Sequence, residues 1–222
     1  MSAETWVIAR FTVLMALIAT ALVLPPAIAV GWLLARKNFP GKTLLETVVS
    51  LPLVLPPVAS GLLLLWFFGR RSPVGRALDA AGIEIIFTWK AVVIAMMVIS
   101  FPLVARSVRA GIEQVDRRFE AIAATLGAGP FRILRTITLP LASRGIAAGA
   151  VLGFSRGLGE FGATIMIAGA IPGRTRTIAV GIYTLVETGR EEAAWILVLI
   201  SACLAFGAIY LSNRLVGQRG GL

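Results

Sequence analysis

Long uncharged apolar runs alternate with short polar segments along this chain, and the lengths of those runs predict its architecture. The stretches from Phe11 to Ala35, from Thr47 to Gly69 and from Ala193 to Asn213 contain no charged residue. Each is long enough to cross ~30 Å of hydrocarbon as a helix. A further span is built from Ile85 to Ala105 with Lys90 snorkelling to the interface, because the uncharged part from Ala91 to Ala105 is too short to cross unaided. The last candidate, from Gly145 to about Ile171, carries Arg156 and Glu160 in its middle and is predicted to be a span with a polar seam. The pattern therefore predicts five membrane helices at approximately 7–35, 47–69, 85–105, 145–171 and 193–213, in a single domain covering residues 1–222. A polar loop, 106–144, separates the third helix from the fourth.

Within that loop Arg109, Glu113, Asp116, Arg117, Arg118 and Glu120 precede Gly127, and Pro130 and Phe131 open a second apolar period. Pro130 suits the first turn of a helix, and Gly127 and Gly129 permit a sharp change of direction, so helix, glycine elbow, helix is expected. Phe131, Leu134 and Ile137 recur at three-residue steps with Arg132 and Arg135 offset from them. That second piece is predicted to lie on another protein or on a headgroup layer.

Pro52, Pro56, Pro57 and Gly61 are expected to break or bend the second span. Broken helices are tolerated beside other protein or a water-lined path, and the alternative is a bend with no part in transport. Arg156 and Glu160 stand four residues apart, share a helix face and offset each other's cost within the membrane. They are expected to point inward, either as a gate or path lining or as a buried structural pair.

Composition sharpens this. Hydrophobic residues make up 58% of the 222 and charged residues 14%, with a mean hydropathy of +0.89, which excludes a soluble fold. There is no His, and the single Cys, Cys203, lies in the last span. Haem, iron-sulfur, zinc and disulfide frameworks therefore lack their usual ligands, no cofactor is expected in this chain, and no catalytic or metal-binding residue is assigned. The net charge of +10 comes from basic residues spread over short loops instead of one stripe, so nucleic acid is not an expected partner. Ala27-Ile28-Ala29 resembles a signal cleavage site, but the apolar run is longer than a signal core and Arg36 and Lys37 follow it, so an uncleaved first span is expected.

Segments 36–43, 106–144 and 213–222 hold twelve Lys+Arg, against eight on the opposite side of a five-span topology. The positive-inside rule then places the twelve in the cytoplasm and the N-terminus outside.

Gly127, nine further residues and Ile137-Thr138-Leu139-Pro140 resemble the cytoplasmic loop signature of ATP-binding-cassette importer permeases: Glu-Ala-Ala, three residues, Gly, nine residues, Ile-x-Leu-Pro. Ala121-Ile122-Ala123 occupy the Glu-Ala-Ala positions, with Glu120 one residue early. The resemblance implies a type I importer permease fold, with a coupling helix around Glu120 to Leu126 docking on a separate ATPase subunit through Glu120, Ala121, Ile122, Ala123, Gly127, Phe131, Leu139 and Pro140. The chain itself has no phosphate-binding Gly-x-x-x-x-Gly-Lys-Ser/Thr loop, and Gly173-Arg174-Thr175 lacks its spacing. No enzymatic activity is expected of it, and the nucleotide site belongs to the partner.

Phe39-Pro40-Gly41-Lys42, Leu51-Pro52-Leu53-Val54-Leu55-Pro56-Pro57-Val58 and Gly159-Glu160-Phe161-Gly162-Ala163-Thr164 are similar to molybdate importer permeases, with sulfate and thiosulfate permeases as the nearest alternative. The resemblance implies carriage of molybdate or tungstate across a prokaryotic cytoplasmic membrane by a homodimer with an oxyanion-binding protein outside. Pro56, Pro57, Arg156, Glu160, Phe161 and Gly162 are the candidate path or gate residues, and Arg70, Arg71 and Arg76 the candidate contacts to the binding protein, against a reading of those arginines as solvated loop charges. An ion-coupled carrier would favour several in-membrane carboxylates, of which only Glu160 is present. A membrane enzyme would need a clustered nucleophile and base, and none is found.

Overall fold

The computed structural model describes residues 3–217 and is all helical over them. Arg219 of the C-terminal basic segment lies outside the described residues. The first helix, α1 (Ala3–Arg36), runs unbroken through Pro25 and Pro26. Next come α2 (Lys42–Val54) and α3 (Pro57–Phe68), bent by 111° at their junction. Pro56 forces Leu55 into extended backbone and Pro57 does the same to Pro56, so α2 must stop there and α3 starts with Pro57 in its first turn. The short α4 (Pro73–Ala80) leads to the central α5 (Trp89–Glu113). A small helix, α6 (Arg117–Thr125), precedes α7 (Pro130–Ile133), a π turn at Leu134–Thr138 and α8 (Leu139–Leu158), the last three forming one continuous rod. The chain closes with α9 (Gly162–Ala168), α10 (Ile178–Glu187) and α11 (Glu191–Gly217).

Among the described residues four helices are long and apolar enough to cross a membrane, and the bent pair α2 and α3 makes up to five. Several expected boundaries shift. The second span is a broken pair starting at Lys42 instead of one helix over 47–69, and the break falls at Leu55 and Pro56 while Pro52 and Gly61 stay inside their helices. The third starts at Trp89, not Ile85, and runs on to Glu113, because the helical backbone continues past the apolar run into the polar turns. The fourth is not 145–171. Its rod runs from Pro130 to Leu158, and Gly159 to Phe161 interrupt the chain before α9. Arg156 thus lies in the last turn of the rod and Glu160 in the interruption just beyond it, not in the middle of a span. Phe131, Leu134 and Ile137 open this rod instead of forming a separate interfacial helix, so the polar loop between spans shrinks from 106–144 to 114–129.

Helix α5 is the core, with Val92, Ala95, Met96, Ile99, Val104 and Val108 fully buried between α1 and α8. Close approach to α8 depends on missing side chains: a Cβ on Gly145 would stand 2.6 Å from Gly111 Cα, and one on Gly153 2.5 Å from Val104 Cγ2. With Gly149 between them these glycines stand at four-residue steps, and small residues so spaced let helices pack backbone to backbone where lipid supplies no hydrophobic drive. The outer face of α11, with Trp195, Leu199 and Phe206 exposed, has the apolar character of a lipid-facing surface.

Candidate functional site

Two constructions carry the predicted site residues. The first is the polar elbow. Asp116 caps α6 by accepting from Arg118 N at 2.9 Å. At the other end Gly127 adopts φ +83°, Gly127 N donates to Ala124 O and Ala128 N to Ala123 O, the paired closure that ends a helix on a left-handed glycine. Gly129 and Pro130 then start the rod, so the expected helix, elbow, helix order holds. Phe119, Ile122, Leu126 and Phe131 are exposed, Leu126 at 83%. Ala121 and Pro140 are exposed, while Ala123 and Leu139 are half-buried. Four bare apolar side chains around a turn of polar sequence are what a protein partner would cover. Phe119 escaped the sequence reading because charged neighbours on both sides hid it; its spacing from Ile122 and Leu126 is the signal that finds it.

Glu120 does not share that exposed face. Its Oε1 accepts from Arg36 Nε at 3.0 Å and from Thr138 Oγ1 at 2.7 Å.

The second construction joins the two helix breaks, which the sequence separates by a hundred residues. A Cβ on Gly162 would stand 2.8 Å from Pro57 Cβ and 2.9 Å from Val58 N, and one on Gly61 would stand 2.7 Å from Ala163 Cα. The proline break of α2 and α3 and the glycine break before α9 are therefore one structure. Glu160 is buried there, 1% exposed, paired with Arg156 Nη1 at 3.0 Å through Oε2 and accepting from Ala163 N at 2.8 Å through Oε1. Burying a carboxylate is tolerated only with such partners, and here the backbone bond also satisfies an orphan N–H at the start of α9. Phe161 packs on Tyr183 with ring centroids 5.0 Å apart. Pro56 and Pro57 remain exposed. Ser60 and Thr164, buried at this crossing, have hydroxyls without a hydrogen-bond partner; they were not singled out from sequence, where nothing distinguishes them from other hydroxyl residues.

At the opposite end from the elbow, Arg70, Arg71 and Arg76 are exposed around α4, and Arg70 is paired with Asp79 at 3.3 Å. Beside them lies a cavity of about 750 Å³ bordered by Asp79, Glu84, Lys90 and Arg174. The face is of mixed charge, so attraction of an anion by the arginines alone is weakened.

The family described as binding-protein-dependent transport system inner membrane component matches residues 27–219. The chain belongs to this family. It is 49% identical over 203 residues to the molybdenum transport system permease protein ModB of Escherichia coli K12, covering 89% of each chain. It is 47% identical over 194 residues to the ModB protein of Haemophilus influenzae, covering 86% of this chain and 85% of that one. A solved bacterial alginate ABC transporter in complex with a periplasmic protein shares the fold with a TM-score of 0.74 at 16% identity, over 100% of this chain and 82% of that one. The expected all-helical importer permease fold is thereby established.

Proposed function

We infer that this chain is the membrane permease subunit of an ATP-driven importer of molybdate, or its congener tungstate. The observation that carries the reading is the 49% identity to a molybdenum transport permease across 89% of the chain. It is an inner-membrane, multi-pass subunit, and the bias of twelve basic residues against eight favours the N-terminus outside.

The chain works as a homodimer with two separate ATPase subunits and an external oxyanion-binding protein, and it needs no cofactor of its own. The apolar side chains of the elbow supply the ATPase contact. Exposed Leu44, Val54 and Trp66 on α2 and α3 offer surface to the second copy, and the joined breaks lie where a path between copies would open. Arg70, Arg71 and Arg76 meet the binding protein. ATP-driven closure of the ATPase pair moves the elbows, the α8 rods follow, and the breaks let the halves on either side reorient without unfolding a helix.

The test is ATPase activity of the reconstituted complex with loaded binding protein. Molybdate and tungstate should stimulate hydrolysis at concentrations where sulfate does not, and stimulation by sulfate alone would remove the molybdate assignment.

A further inference from the structure

The carboxylate on α6 turns into the chain, away from the exposed apolar face. Glu120 lies on α6, yet its side chain is only 19% exposed and its Oε1 accepts two hydrogen bonds from elsewhere in the chain. One donor is Arg36, the last residue of α1, whose side chain is 8% exposed. The other is Thr138, the last residue of the π turn, which is 1% exposed. The knot has further strands: Arg36 Nη2 donates to Val115 O at 2.9 Å, and Arg117 Nη2 donates to Ala35 O at 3.2 Å. Two arginines thus cross between the end of α1 and the start of α6, each supplying a donor to a carbonyl of the other segment. On its other side α6 presents Phe119, Ile122 and Leu126 bare.

We propose that Glu120 is a positioning residue that transmits force within the permease, fastening α6 at once to α1 and to the root of α8, and that the ATPase is gripped by the apolar face alone. This rests on the elbow being the ATPase dock. A displacement of α6 by the ATPase would otherwise be absorbed by the flexible Gly127 to Gly129 elbow. Through Arg36 it reaches α1, whose Gly31 lies so close to α5 that a Cβ would meet Val108 Cγ1 at 2.9 Å. Through Thr138 it reaches the π turn, where the wider helical backbone gives the rod a natural place to swivel. Charge-assisted bonds in a half-buried site suit this task, since they hold distance and direction where apolar contacts slide.

The experiment is a double-mutant cycle in the complete complex, reading ATPase subunits retained and molybdate taken up per ATP hydrolysed. Glu120→Ala, Arg36→Ala and the double variant should all keep their ATPase subunits. Each single variant should lower uptake per ATP about tenfold, the scale of one lost charge-assisted bond, and the double should be no worse than either single. Glu120→Gln keeps an acceptor for Thr138 and should lose less. If the alanine variants do not fold, Glu120→Gln and Arg36→Lys complete the same cycle. Loss of ATPase subunits in the Glu120 variant but not the Arg36 variant, multiplying effects in the double, or unchanged uptake per ATP would each overturn the proposal. Leu126→Asp tests the docking reading separately: it should release the ATPase subunits, and their retention would show that the dock lies elsewhere.

Discussion

The elbow and the joined breaks both interrupt helices with glycine and proline, but they are held in opposite ways. At the elbow, a Cβ on Gly127 or Gly129 would meet nothing within 4 Å, apolar side chains face outward, and polar bonds to α1 and α8 keep α6 in place. At the breaks, backbones touch, glycine is required for space, and the one carboxylate is sealed beneath α9. The first is a handle, exposed and tethered. The second is a joint that packing must maintain, because bare backbone groups within a membrane have no water to turn to.

The sharpest way to break this contrast is Gly162→Val. The added side chain drives into Pro57 and the backbone at Val58, with no flexible group to yield, and should cost at least about 3 kcal/mol. The folded yield in detergent should collapse; a variant with unchanged thermal stability would show that the breaks are not joined. Next in size is Glu160→Ala, which leaves Arg156 unpaired and Ala163 N without its acceptor. Since Arg156 is partly exposed and can recruit water, we expect about 2 to 3 kcal/mol, measured as a fall in melting temperature.

The elbow should respond differently. Gly127→Asp places a side chain at φ +83°, a local cost of about 1 kcal/mol, so the fold should survive while uptake separates from ATP hydrolysis. Normal coupling in that variant would remove the elbow from the transport cycle. Phe131→Ala, 75% exposed, should leave the melting temperature of the isolated permease unmoved yet weaken ATPase subunit binding in titrations. Arg70→Gln should do least. An exposed pair such as Arg70 with Asp79 is worth about 0 to 1 kcal/mol, and with Arg71 and Arg76 still facing the binding protein, uptake should change by less than about twofold.

Local chemistry alone writes several elements of this fold. Apolar run length marks Phe11 to Ala35 and Ala193 to Asn213 as spans, and Asp116, Gly127 and Pro130 write the cap, stop and restart of the elbow without help from distant residues. The permease family was legible too, because the elbow is a short, spaced motif. Which interruptions matter was settled by packing. Pro25-Pro26 and Pro56-Pro57 are the same dipeptide in apolar runs, yet α1 continues through the first with Val23 and Ala27 packed tightly in the core, while the second turns the chain by 111° onto Gly162. Charge spacing likewise offered Arg156 and Glu160 as a pair, but not that Glu160 would also cap α9. Nor could it show that Glu120, one residue out of place in the motif, would turn inward to Arg36. Helical periodicity reports which residues share a face; which backbone that face meets depends on contacts a hundred residues away, and those are settled only when the helices pack.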